Sequence, residues 1–429
     1  MKIGITGTTG FVGSAIACQL LKDGVDVVAF SRNDPDGTRS MRSVEAAWKG
    51  FGFGKEPFPV TRIQVQNIDF RHPEDLPSDS LRYLEAFWHV AADMTYSSKR
   101  FVRSFQQNIT NTSALHNEIE TRAPNCKRFY YISTAYTGGF KNTNSINESI
   151  HDAPQVDNVY QATKWMAETT LGRLGEKGSL SVSIVRPSIV VGHSENGWRG
   201  ESNFGLYGFA RAAAHCFSKR IDSLRFDLDP MAELNLIPID ILAVWSSQLT
   251  KRSQIKEGTE VFNATAQSSL TVGDVTDSMS QILGIDVSCG KPKRAFDKIV
   301  QKHTNLNAPF ARQTWLFSNK SLISSLGDDW RSFHMTKQTV NIILARYFSE
   351  AIKDLERENT GNQLVPIDNL ITASVVAAES IGVQISRRKG GGIGLEIPAI
   401  PKDLRKLSKN AASAGFRFAG QIIKRGAQQ

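Results

Sequence analysis

A short apolar strand, Lys2-Ile-Gly-Ile-Thr6, runs into Gly7-Thr8-Thr9-Gly10-Phe11-Val12-Gly13 and then into a helix carrying Ala15, Ile16, Leu20 and Leu21. No other stretch narrows the fold as much. Glycines are required where the backbone turns sharply, where it must approach a pyrophosphate, and where a helix packs closely on a strand. The helix N-terminus offers unpaired N–H groups to an anion. A plain glycine-rich turn has no need of a strand before it and a helix after it, so Gly7, Thr9, Gly10, Phe11, Val12 and Gly13 are read as a dinucleotide cradle.

The second strand, Val25–Phe30, ends in Ser31-Arg32. An NAD-preferring site places an acid there for the ribose 2′-hydroxyl, whereas an arginine suits a 2′-phosphate. Ser31 and Arg32 therefore point to NADPH, and Arg39 and Arg42 downstream add positive charge to the same region. Residues 48–60 read as a loop. Arg62–Ile68 reads as a third strand, with Asp69 and Phe70 at its end near the adenine. In a fourth strand, Phe87–Ala92, the small Ala91 and Ala92 let the backbone pass close to the cofactor. Phe129–Tyr136 and Ser181–Val185 read as a fifth and a sixth. Strands alternating with helices imply right-handed βαβ crossovers and a parallel sheet with ligands outside the strand ends, where Thr134 and Arg186-Pro187 fall.

The expected architecture is therefore α/β, a Rossmann-type doubly wound parallel sheet with a smaller substrate-side region and a mostly helical C-terminal extension. Residues 1–265 are expected to form the dinucleotide-binding domain with a substrate-side insert at about 192–235. Residues 266–385 are mainly helical, with helices over 270–284 and 336–356. Residues 386–429 form a tail with ten Lys/Arg and two Asp/Glu, a net +8 of the chain's +9. The body is thus nearly neutral, which argues against a nucleic-acid-binding face. Cys18, Cys126, Cys216 and Cys289 lie far apart, with neither disulfide nor zinc spacing, and no metal is expected. No apolar run reaches the ~18 residues of a membrane span, so a cytoplasmic protein is expected. Leu404, Leu407, Ala411, Ala414, Phe418 and Ile422 recur at helical spacing after a glycine-rich hinge at 387–392. That basic amphipathic pattern suits peripheral membrane contact, the acidic face of an acyl carrier protein, or a plain terminal segment that packs on the body or stays disordered.

Asn158-Val-Tyr160-Gln-Ala-Thr-Lys164-Trp165 places a phenol and an ammonium at i and i+4, on one helical face roughly 5–6 Å apart. A free tyrosine titrates near ~10, and a neighbouring cation favours its phenolate. A solvated helix face produces the same spacing, so the weight rests on the surrounding stretches.

Together, Thr6–Gly13, His89-Val-Ala-Ala92, Asn108-Ile-Thr-Asn-Thr112, Ile132-Ser-Thr-Ala-Tyr136, Tyr160-x-x-x-Lys164, Val185-Arg-Pro-Ser-Ile-Val190 and Asn235–Asp240 resemble the extended short-chain dehydrogenase/reductase superfamily over about residues 1–265. Ser133–Tyr136 and Gly197-Trp198 point within it to the fatty acyl-CoA reductase and thioester reductase branch. Asn111 stands where that family usually has glycine, and residues 300–429 do not resemble the helical C-terminal domain of eukaryotic acyl-CoA reductases. The resemblance implies a catalytic set of Thr134, Tyr160 and Lys164, with Ser133 as an adjacent hydroxyl and Asn108 holding a water in a proton relay. It also implies Pro187, Ser188 and Ile189 beside the cofactor. The implied reaction is NADPH-dependent reduction of an acyl thioester, on coenzyme A or an acyl carrier protein, to aldehyde or alcohol. The alternatives are a ketone or alcohol oxidoreductase with the same residues, and a cofactor-sensing scaffold on this fold.

Overall fold

The computed structural model describes residues 1–139, 145–253, 256–305 and 307–360, together with strands at 384–388 and 392–396. Its elements run β1 (Lys2–Thr6), α1 (Phe11–Lys22), β2 (Asp26–Ser31), α2 (Thr38–Gly50), β3 (Ile63–Asn67), α3 (Ser78–Leu81), β4 (Ala86–His89), α4 (Phe101–Phe105) and α5 (Asn111–Arg122). There follow β5 (Arg128–Ile132), α6 (Val159–Lys177), β6 (Ser181–Pro187), β7 (Ile189–Val191), α7 (Leu206–Ser218), β8 (Ser223–Phe226), β9 (Glu233–Leu234), β10 (Leu236–Pro238), α8 (Ile239–Lys251) and β11 (Thr259–Ala264). The C-terminal elements are β12 (Leu270–Thr271), α9 (Val272–Leu283), β13 (Asp286–Cys289), α10 (Ala295–Thr304), α11 (Lys320–Leu326), α12 (Lys337–Thr360), β14 (Gln384–Arg388) and β15 (Gly392–Glu396).

The main sheet is parallel, in the order β11-β6-β5-β4-β1-β2-β3. Both faces are covered, so its strands are apolar at consecutive positions. Val27 and Ala29 enter one core with Ala15, Ile16, Leu242 and Trp245, and Val28 and Phe30 enter the opposite core with Leu115, Ile119 and Leu171. The strand order reverses on either side of β1, which opens a crevice beyond its carboxyl end. β11 is a seventh strand that sequence periodicity did not single out, because Thr259, Glu260 and Asn263 interrupt its apolar run.

The substrate-side layer combines distant segments. β8 pairs in parallel with β13, and α7, α9 and α12 share one core with Tyr207, Phe226, Met279, Leu344 and Tyr347. Of the expected hinge at 387–392, Arg387 and Arg388 lie in β14 and Gly392 in β15, which pair antiparallel with Arg388 opposite Gly392, and residues 389–391 lie outside the described residues. The expected amphipathic helix in residues 401–425 lies outside the described residues. Among those described, no helix is long and apolar enough to cross a membrane, and no group of His, Cys, Asp and Glu is arranged to hold a metal.

One buried ion pair fixes α6 against the sheet. Arg186 on β6 donates to both carboxylate oxygens of Glu168 on α6, at 2.9 and 2.7 Å, and both side chains are fully buried. Thr137 adds a hydroxyl donor to the same carboxylate, and Arg186 also donates to the Asn147 carbonyl and to Nε2 of His151. Removing one partner of such a pair leaves an uncompensated charge in the core. Glu168→Ala is expected to destabilise the protein by about 3–5 kcal/mol in denaturant unfolding, and a loss below about 1 kcal/mol would show that the pair does not anchor α6.

Candidate active site

A cavity of 570 Å³ occupies the crevice at the strand reversal. The turn after β1, the ends of β2, β4 and β5, the first turn of α6 and the segment after β6 all contribute to it.

Its dinucleotide side is built from close backbone contacts. Gly7 adopts φ +79°, and a Cβ there would lie 2.8 Å from the Ala91 nitrogen. A Cβ on Gly13 would fall 2.1 Å from the Gly7 carbonyl oxygen, so any side chain would push α1 away from β1. Gly10 differs: its Cβ would meet nothing nearer than 3.4 Å within the protein, so its smallness leaves room for a ligand at the helix N-terminus. Thr6 Oγ1 accepts from the Val90 and Ala91 N–H groups and bonds to Nδ1 of His89, whose Nε2 bonds to Thr112. With both oxygen lone pairs of Thr6 in use, its proton goes to Nδ1, and Nε2 of His89 carries the ring proton. Burial, with Lys164 adding to it, holds the His89 pKa down to about 3, so the ring stays neutral.

Gly7, Thr9, Gly10, Phe11, Val12, Gly13, Ser31, Arg32, Phe70, Ala91, Ala92, Pro187, Ser188 and Ile189 all line this cavity, as the sequence suggests. Three expected residues do not. Arg42 is exposed on α2 away from the cavity, and Arg39, one turn earlier, lines it instead. Asp69 turns to Arg71, whose hydrogen bonds pull its pKa down to about 2. Asn108 sits in a π-helical turn, Gln106–Thr110, with its amide tied to both backbone groups of Asp93 and to Thr163 Oγ1. It therefore fixes the loop after β4 to α6.

Ser133, Thr134, Tyr160 and Lys164 converge on the cavity. Thr134 caps the turn Ala135–Gly138 by accepting weakly from the Tyr136 N–H at 3.4 Å, which leaves its proton free to donate. Ser133 Oγ and Ser188 Oγ are buried with no hydrogen-bond partner among the described residues. Lys164 donates to the Ile132 carbonyl at 2.6 Å, and its ammonium lies 4.5 Å from the centre of the Tyr131 ring. Burial lowers its pKa to about 7, opposed by Glu168. Burial raises the Tyr160 phenol far above its ordinary value, with Tyr96 and Glu168 adding to the effect. In the cofactor-free protein the shift thus favours the protonated phenol, the opposite sense to the phenolate that Lys164 was expected to favour.

The substrate side is mostly apolar. Met94, Tyr96, Tyr136, Phe204, Leu206, Phe209, Leu234, Leu236 and Phe310 line it, and Asp93 at its rim pairs with Arg103 at 3.5 Å. Tyr96 stands edge-on to Tyr160 at 5.9 Å, and Phe310 stands edge-on to Tyr136 at 4.9 Å. Sequence reading did not single out Tyr96, His89 or Phe310 as site residues. His89-Val-Ala-Ala92 carried a signal for the histidine, whereas Phe310 comes from a short turn with no periodicity.

The doubly wound sheet, the glycine cradle at its reversal and the Tyr-Lys pair on the adjoining helix define an oxidoreductase that uses a nicotinamide cofactor, of the extended short-chain dehydrogenase/reductase type. The male sterility protein family, an NAD-binding family, matches residues 5–245, more than half of the chain. The chain belongs to that family, the thioester reductase branch of the extended enzymes. It is similar to an aldehyde reductase, lnbA, of Aspergillus flavus, 25% identical over 56% of this chain and 24% of that protein. It is also similar to a polyketide synthase-nonribosomal peptide synthetase of Aspergillus clavatus, 27% identical over 44% of this chain and 4% of that protein. The chain therefore matches only a fraction of the length of these relatives. Among solved structures, the terminal R domain from the myxalamid PKS-NRPS pathway superposes with a TM-score of 0.66 at 16% identity, covering 82% of this chain and 91% of that one. The UDP-glucuronic acid 4-epimerase of Bacillus cereus in complex with NAD gives 0.60 at 18%, covering 82% and 97%.

The buried Lys164 makes a testable mark on cofactor-free stability. Its pKa is about 7 in the folded protein against 10.5 for an ordinary lysine, so between those values the unfolded chain binds more protons and stability rises with pH. Relative to Lys164→Met, the wild type is expected to gain roughly 1 kcal/mol per pH unit between about pH 7.5 and 9.5 in urea unfolding. A constant difference between the two proteins across that range would contradict a depressed lysine.

Proposed function

We propose that the protein is an NADPH-dependent reductase of acyl thioesters. The observation that carries this reading is the placement of Ser133, Thr134 and Tyr160 between the dinucleotide cradle and a mostly apolar, aromatic-lined chamber. A bound nicotinamide supplies the hydride, which adds to the thioester carbonyl carbon. Thr134 donates a hydrogen bond to the carbonyl oxygen as charge develops there, with Ser133 as a second donor. Tyr160, neutral through burial, transfers its proton to that oxygen. Lys164 holds the nicotinamide ribose, and cofactor binding near it favours its charged form. The resulting hemithioacetal breaks its C–S bond to give aldehyde and thiol. Reduction of that aldehyde in a second round gives the alcohol.

Relatives named as a polyketide synthase-nonribosomal peptide synthetase and as a peramine synthetase support a thioester presented on a carrier protein. Reduction of a free ketone would use the same residues and is the second reading, since the apolar chamber accepts either. Oxidation of NADPH with a panel of coenzyme A thioesters, carrier-bound thioesters, aldehydes and ketones separates them: turnover of ketones alone would overturn the thioester reading. Tyr160→Phe is expected to lower turnover by about 10²–10⁴-fold while leaving NADPH affinity nearly unchanged. More than about a tenth of the wild-type rate in that variant would remove Tyr160 from the role of acid.

Arg32 and Arg39 line the cavity at the end of β2. The nearest carboxylate in sequence, Asp34, is turned away and accepts from the Arg39 and Ser40 N–H groups at 2.9 Å each. Two guanidinium groups with no available acid suit a 2′-phosphate. Arg32→Ala is expected to cost NADPH about 1.5–3 kcal/mol of binding and NADH much less. Equal wild-type affinities for NADPH and NADH, measured by titration, would refute the preference.

A further inference from the structure

We infer that Trp198 is a positioning residue for the dinucleotide site, holding the N-terminus of α1 and the end of α2 in register from a strap, residues 192–205, that is itself anchored on α12. Trp198 does not line the cavity, yet it is 8% exposed and packs between the two elements that do the binding. Its ring lies 5.8 Å from Phe11, the first residue of α1, and 5.6 Å from Phe51, just past the end of α2. A Cβ on Gly50, the last residue of α2, would lie 2.4 Å from the indole, so only glycine admits the ring there. Asn196 adds a polar clamp: its amide donates to the Gly50 carbonyl at 2.8 Å and its Oδ1 accepts from the Trp198 N–H at 2.9 Å. α1 presents Gly10 to Gly13, and α2 presents Arg39. The indole thus braces the far end of α2, whose first turn carries Arg39, against the N-terminus of α1, which carries the pyrophosphate cradle.

On either side of Trp198 the strap is held from outside the stretch that matches the family. Arg199 pairs with Glu350 on α12 at 3.2 Å, and its guanidinium lies 5.4 and 4.9 Å from the rings of Tyr207 and Tyr347. Gly197, at φ +69°, fits against Ile342 and Arg346 of α12, where a Cβ would meet Ile342 O and Arg346 Cβ at 2.9 Å. Ser202 and Phe204, farther along the strap, line the cavity. One segment thus touches α12, the glycine cradle and the substrate chamber, so the C-terminal helix preorganises the cofactor site without touching cofactor. Holding a binding site in its bound geometry lowers the ordering cost of the ligand.

This inference rests on nicotinamide-cofactor binding and not on the identity of the acyl substrate. The test is direct titration of the purified full-length protein with NADPH and with NADH, followed by nucleotide fluorescence, for wild type, Trp198→Ala, Trp198→Phe and Gly50→Ala. Trp198→Ala is expected to raise the dissociation constant about tenfold or more, equivalent to losing ~1.4 kcal/mol of preorganisation. Trp198→Phe should recover most of it, and Gly50→Ala, which displaces the indole, should reproduce the loss. In steady-state assays the change should fall on KM for the cofactor more than on kcat. Wild-type affinity in a folded Trp198→Ala protein would overturn the inference. If Trp198→Ala does not fold, wild-type affinity in Gly50→Ala overturns it. Failure of the wild type to bind either nucleotide would instead refute the cofactor reading itself.

Discussion

The close approach of the backbone at Gly7 and Gly13 is the constraint on which the rest of the site depends. The Gly7 carbonyl lies where a Cβ of Gly13 would be, and the Ala91 peptide lies where a Cβ of Gly7 would be. Three chain segments therefore meet at main-chain distance, and the crevice at the strand reversal is lined by peptide groups with the α1 N-terminus facing in. Thr6, His89 and Thr112 supply the hydrogen bonds that keep the Val90-Ala91 peptides there. Neutral His89 suits that task, since both its nitrogens are already committed.

The catalytic side is held by a different device, a charge pair with no access to water. Arg186 and Glu168 join β6 to α6 two turns beyond Tyr160, so the phenol and Lys164 project from a helix whose position is fixed by a bidentate ion pair. Burial then acts on the two groups in opposite chemical senses: it keeps the phenol protonated and draws the ammonium toward neutrality. A bound dinucleotide, which brings negative charge, favours the lysine cation.

The substrate chamber shows how much of the enzyme lies beyond the matched segment. Residues 5–245 carry the cradle, the hydroxyls and the Tyr-Lys pair, whereas Phe310 and Ala311 close the chamber and α12 braces the strap. Part of the chamber wall, Phe310 and Ala311, thus comes from outside the stretch that matches the family.

The sequence by itself determined the elements whose signal is local. The strand-turn-helix around Gly7–Gly13, the alternation of β and α, the cation at the end of β2 and the i, i+4 spacing of Tyr160 and Lys164 each depend on neighbours within a few residues. Side-chain direction and long-range pairing are not local. Arg39 rather than Arg42 lines the cavity because it stands in the first turn of α2, nearest the end of β2, whereas Arg42 stands one turn farther along the helix. Asp69 and Asn108 carry suitable chemistry at suitable positions, but Arg71 claims one and the Asp93 backbone the other. Tyr96, Phe310, the seventh strand and the Trp198 clamp became visible only in three dimensions. Each depends on contacts between segments tens to hundreds of residues apart, and burial, which sets both the Tyr160 and Lys164 titrations, exists only once those segments have met.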